Sequence, residues 1–107
     1  MGLRMIPRSN MLNPRESHVL CAVNAGYIYA IGHRYAKKAH LCEAYNIEKD
    51  FWEEAPNLNQ GRYYCSAVAM NQRFIYVFGG FFKNNEVTSI ERLDCFITYT
   101  GWVDMEV

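Results

Sequence analysis

The feature that most constrains this chain is that it repeats itself. Arg15 and Arg62 stand 47 residues apart, and the same interval separates Asn24 from Asn71, Ile28 from Ile75, Tyr29 from Tyr76 and Gly32 from Gly79. YIYAIGH at 27–33 aligns on FIYVFGG at 74–80 without a gap. Further on, E-x-Y-N at 43–46 meets E-x-L-D at 91–94 at an interval of 48, and Trp52 meets Trp102 at 50. The interval grows by small steps, as it does when loops gain a residue or two. A period in this range marks stacked architectures, because one small supersecondary unit cannot bury its apolar face alone.

The repeat also decides a conflict of local propensity. Residues 35–55 (YAKKAHLCEAYNIEKDFWEEA) are rich in Ala, Lys, Leu and Glu, and by themselves predict a helix. Their counterpart in the second copy includes VTSIERLDCFITY at 87–99, which is β-branched and aromatic and predicts strand. Two copies of one unit share a fold, so both are assigned to strands. Each unit then parses into four: strand a at 18–23 and 65–70, b at 27–31 and 74–78, c at 40–46 and 88–94, d at 51–55 and 98–105. Strand b is almost wholly apolar in both copies, which predicts burial on both faces between like sheets. A four-stranded sheet stacked between like sheets is a propeller blade.

These residues resemble the kelch repeat, whose unit is about 50 residues long. The second copy carries Arg62, Ile75-Tyr76-Val77, Gly79-Gly80, Glu91, Asp94 and Trp102. The first carries Arg15, Ile28-Tyr29, Gly32, Glu43, Tyr45, Asn46, Trp52 and Pro56. The expected fold is therefore all-β: a kelch-type β-propeller segment with two four-stranded antiparallel blades at 15–61 and 62–107. Residues 1–14 are expected to be a leftover N-terminal strand and loop of a preceding blade. Two departures stand out: His33 where the family has glycine, and Leu93 where it prefers tyrosine. His33 fits there only if its backbone avoids positive φ or bears strain. The motif residues Arg15, Tyr29, Gly32, Glu43, Tyr45, Trp52, Arg62, Tyr76, Gly79, Gly80, Glu91 and Trp102 are read as architectural. The aromatics seal blade against blade, with polar tips that reach hydrogen bonds. The arginine's planar fork suits backbone carbonyls at a blade boundary.

Little in the chain points to chemistry. Lys+Arg and Asp+Glu both total 11, so a nucleic-acid partner that relies on excess positive charge is not expected. No apolar run reaches the length that would span a membrane, and no membrane partner is expected. Cys21, Cys42, Cys65 and Cys95 form no C-x-x-C pair and are read as reduced, mostly buried residues of a cytoplasmic protein. His40 and Cys42 share a strand face, with His18 and His33 as further ligand candidates, but the spacing fits no usual zinc site. Glu53 and Glu54 are neighbours on a strand and point to opposite faces. No G-x-S-x-G or Gly-rich phosphate loop occurs. No catalytic residue, metal or cofactor is assigned.

Binding remains. The b–c loops read HRYAKKA at 33–39 and GFFKNNEV at 80–87. Arg, Tyr and Phe are enriched at protein interfaces, so Arg34, Tyr35, Lys37, Lys38, Phe81, Phe82, Lys83 and Asn84 are the candidate protein-binding loop face. The alternative for Phe81 and Phe82 is burial against the neighbouring blade. The expected function is a non-catalytic interaction module that binds another protein. The resemblance implies adaptors such as substrate receptors of cullin-based ubiquitin ligases or cytoskeleton-associated proteins, although 107 residues leave no room for a BTB or F-box domain beside two repeats. The rival is a fragment of an oxidase-like propeller enzyme whose catalytic residues lie outside this chain. Self-association, or assembly with further blades, is expected of two isolated blades.

Overall fold

The computed structural model of the chain describes residues 18–23 and 26–105. The segment 1–14 and Arg15, read above as the end of a preceding blade and a motif arginine, lie outside the described residues. Among the described residues there is no α-helix. The first sheet contains β1 (Val19–Val23), β2 (Tyr27–Ile31), β3 (Cys42–Asn46) and β4 (Phe51–Ala55), hydrogen-bonded in that order and antiparallel throughout. The second sheet contains β5 (Ser66–Met70), β6 (Phe74–Phe78), β9 (Ile90–Asp94) and β10 (Trp102–Met105), again antiparallel. Between β6 and β9 sits a small hairpin of β7 (Phe81–Phe82) and β8 (Asn85–Glu86).

The helical propensity of 35–55 survives only as a 3-10 turn at Ala36–Lys38. The rest is drawn into the sheet because β3 is paired on both sides, with β2 and β4, and Cys42–Tyr45 are buried. Burial and two sets of ladder bonds outweigh a propensity difference of a few tenths of a kcal/mol per residue, roughly. Two sequence expectations need correction here. Residues 98–100 are a 3-10 turn, and strand d of the second unit starts only at Trp102, after Gly101 at φ 73°. The loop 80–87 is the β7–β8 hairpin, turned by Lys83 and Asn84 at φ 52° and 65°. Two consecutive positive φ values give the tight turn whose twist matches a two-residue hairpin.

The main core lies between the two sheets. Cys21, Val23, Tyr29, Ile31, Cys42 and Ala44 face Ile75, Val77, Leu93 and Trp102, with Leu58 and Cys65 completing the cluster. A second cluster on the other face of the first sheet unites Ile28, Ala30, Tyr45 and Trp52. β2 is thus buried on both faces. β6 is not: Ile75 and Val77 are buried, while Phe74 and Tyr76 are half-buried and Phe78 is exposed. The expectation of two-sided burial for strand b fails in the second unit because, among the described residues, no sheet covers that face. Tyr76, expected to seal one blade on the next, lies on this uncovered side. Outside the sheets, Arg73 donates to Asp94 through Nε and Nη2 at 2.9 and 2.7 Å, tying the β5–β6 turn to the end of β9. These bonds hold the Asp94 carboxyl below the usual carboxylate range.

Candidate functional site

The segment 56–65 that links the two sheets builds the site. Arg62 is completely buried, and so is Glu91 on β9. The Arg62 guanidinium donates to Glu91 Oε2 at 2.7 Å, to the Gly79 and Ser89 carbonyls at 3.2 and 2.8 Å, and to Ser89 Oγ at 3.0 Å. Glu91 also accepts the backbone N–H groups of Asn59 (2.7 Å) and Gln60 (3.1 Å). The planar fork thus clamps the ends of β6 and β9, and the carboxylate clamps the linking segment. The carbonyl contacts follow from the arginine alone. The pairing with Glu91 was not read from the sequence, although both residues belong to the repeated motif. These bonds offset the unfavourable desolvation of both charges, while the Arg62 Nε is buried without a hydrogen-bond partner.

The backbone around Arg62 also joins the two loops. Arg62 N–H donates to the Ala39 carbonyl, and His33 N–H donates to the Arg62 carbonyl. Tyr63 and Phe81 exchange N–H to carbonyl bonds, both 2.9 Å, as an isolated antiparallel bridge. Gly32 adopts φ 87°, and a β-carbon there would overlap the Arg62 carbonyl oxygen. Gly80 adopts φ 93°, and a β-carbon would press on the Tyr63 carbonyl. These glycines let the crossing strand approach. His33 holds a negative φ and is buried. Its Nδ1 accepts the Tyr35 N–H at 3.0 Å, and its ring stacks on Tyr35 at 5.1 Å.

The candidate loop residues therefore come together at one end of the two sheets. Arg34, Tyr35 and Lys37 are exposed and Lys38 is half-buried. Phe81, Lys83 and Asn84 are exposed, and Phe81 rests against Tyr63 at 6.1 Å between centroids. Phe82 is half-buried beside Gly61, with Lys83 Nζ 5.4 Å above its ring. Phe82 is thus partly buried against the linking segment, and Phe81 stays exposed. Tyr64 was missed: it is 63% exposed at the same end and holds φ 52°. Its position two residues after the motif arginine was the available signal. A shallow groove of about 370 Å³ adjoins the hairpin, lined by Gln60, Phe82, Glu86 and Ser89 among others.

The remaining motif residues are architectural in placement. Trp102 is buried between the sheets and its Nε1–H donates to the Pro56 carbonyl at 2.9 Å. Tyr45 packs on Trp52 and donates its hydroxyl to Asp50 at 2.6 Å. Glu43, the first-unit counterpart of Glu91, is buried as well. Gly79 has φ 69° and open space where a β-carbon would point. The Cys42 thiol lies 4.0 Å from the His40 carbonyl. Among the described residues no three His, Cys, Asp or Glu side chains converge as a metal site. All four cysteines are free thiols, and burial pushes Cys65 and Cys95 up to about 11.

Residues 61–95, from the end of the linking segment through β9, match the Kelch motif. The chain thus carries a Kelch motif over this segment, and its two four-stranded antiparallel sheets are consistent with two kelch blades.

Proposed function

We propose that the chain is a non-catalytic interaction module that binds another protein through the loop end carrying Arg34, Tyr35, Lys37, Tyr64, Phe81 and Lys83. The observation that carries this reading is the convergence of two exposed aromatic and basic loops on a rigid, glycine-dependent crossing at Arg62. Loops held by a rigid scaffold are where binding residues concentrate. The segments 33–39 and 80–87 contain four cations against Glu86, so the partner surface is acidic with apolar ground for Tyr35, Tyr64 and Phe81. Kelch repeats commonly mediate protein binding, and that family habit supports the reading. An adaptor role, and a reducing cytoplasmic location suited to four free thiols, belong to the same proposal.

The test is affinity capture with the wild type and with Arg34→Ala/Tyr35→Ala/Phe81→Ala/Lys83→Ala. A partner held by the wild type is expected to bind the variant at least about tenfold more weakly, and to release from the wild type as salt rises. Equal capture by both proteins would remove the loop end from consideration.

A further inference from the structure

The two b–c loops hold their shape by different means. The second is closed by main-chain pairing: β7 and β8 form a two-stranded ladder, and Phe81 pairs in turn with Tyr63. The first has no ladder of its own between β2 and β3, only the 3-10 turn Ala36–Lys38. It has a buried side chain instead. At the repeat interval His33 corresponds to Gly80. Gly80, at φ 93°, leaves no space for a β-carbon beside the Tyr63 carbonyl, whereas His33, at negative φ, carries a full ring.

The His33 imidazole is 2% exposed and bonds along its own loop. Nδ1 accepts the backbone N–H of Tyr35, two residues ahead, at 3.0 Å, and the two rings stack at 5.1 Å with an interplanar angle of 22°. A side-chain acceptor on the N–H two residues ahead is the pattern of an Asx turn, here with an imidazole in place of a carboxamide. Tyr35 then opens the 3-10 turn, and its carbonyl accepts the Lys38 N–H at 2.9 Å. Both ends of the loop are fixed to the crossing segment: His33 N–H donates to the Arg62 carbonyl, and Arg62 N–H donates to the Ala39 carbonyl. Between those ends, His33 supplies the bond and the ring contact that set Tyr35, which is itself 62% exposed. A ring nitrogen that accepts a hydrogen bond carries no proton, so His33 is neutral with its proton on Nε2.

We propose that His33 is the positioning residue of the loop end: its neutral imidazole fixes Tyr35 in the orientation a partner meets, a role that main-chain pairing fills for Phe81. The consequence for binding rests on the loop-binding reading given above. An aromatic side chain held in place before association loses less freedom on binding.

Amide hydrogen exchange and histidine nitrogen NMR of the full chain test the positioning without any partner. The wild-type spectrum is expected to show His33 Nδ1 unprotonated and Nε2 protonated. His33→Ala is expected to speed exchange of the Tyr35 amide about tenfold, with the Phe81 amide unchanged. His33→Asn keeps an acceptor at the Asx-turn position and is expected to stay within about threefold of wild type, whereas His33→Phe keeps a ring without an acceptor and is expected to exchange like His33→Ala. The protein captured by the wild type in the loop-end experiment is expected to bind His33→Ala about fivefold more weakly, with binding recovered in part by His33→Asn. Recovery of no protein would count against the loop-binding reading alone, and exchange and NMR would still decide whether His33 positions Tyr35. A protonated Nδ1, read on the wild type whether or not a variant folds, would overturn the proposal. So would Tyr35 exchange unmoved by His33→Ala, protection restored by His33→Phe rather than by His33→Asn, or a captured protein that binds His33→Ala like the wild type.

Discussion

Glu91→Gln tests what holds the second sheet to the linking segment. The wild-type carboxylate receives three donors, from Asn59, Gln60 and Arg62, at 2.7, 3.1 and 2.7 Å. Glutamine keeps the shape but turns one acceptor into a donor that faces a donor. It also leaves the fully buried Arg62 cation without its counter-charge. Breaking one partner of a buried pair costs about 3–5 kcal/mol. A chain of this length has roughly 5–15 kcal/mol in total, so the loss is a large fraction of it. At a urea slope of about 2 kcal/mol/M the midpoint falls by roughly 2 M with the slope unchanged. Arg62→Met should cost a similar amount. The double variant should fall short of the sum of the singles by about 1–3 kcal/mol, because each single change strands the other residue. A Glu91→Gln stability within about 0.5 kcal/mol of wild type, or strictly additive singles, would refute the account of the clamp.

Two further predictions concern stability. Gly32 and Gly79 are repeat counterparts but should respond differently to alanine. Gly79→Ala meets open space and should lose about 1–3 kcal/mol from its positive φ alone, whereas Gly32→Ala also forces the Arg62 carbonyl aside and should lose clearly more or fail to fold; equal losses in thermal unfolding would contradict the crossing geometry. Burial raises the Cys65 and Cys95 thiols to about 11, so the stability linked to their neutral form is present below the ordinary thiol value near ~8.5 and is lost as pH rises toward about 11. Melting temperature should fall across that window, less steeply in Cys65→Ala, and native-state alkylation should lag far behind that of the urea-unfolded chain. Alkylation at equal rates would contradict the burial.

Much of the architecture was readable because a repeat carries its own control. FIYVF and YIYAI announce the same strand, and VTSIERLDCFITY corrects the helical appearance of residues 35–55. The alternation of backbone pairing then determines which residues share a face. The loop face was readable as a list of residues, since aromatic and basic side chains stand out in short turns. Tyr64 escaped notice because its exposure depends on a left-handed backbone at a crossing between segments. The Arg62–Glu91 pair escaped because 29 residues separate its members.

By itself, the sequence determined the repeat, its four-stranded unit and the glycines at its turns, since these follow from local sterics and a pattern written twice. Only the tertiary structure decided that Phe82 is half-buried beside Gly61 while Phe81 is exposed. It alone set Arg62 on a carboxylate, and it alone left one face of β6 uncovered while both faces of β2 are buried. The physical reason is that burial belongs to the neighbour. YIYAI and FIYVF carry nearly the same apolar pattern, and what differs is whether a second surface lies against them.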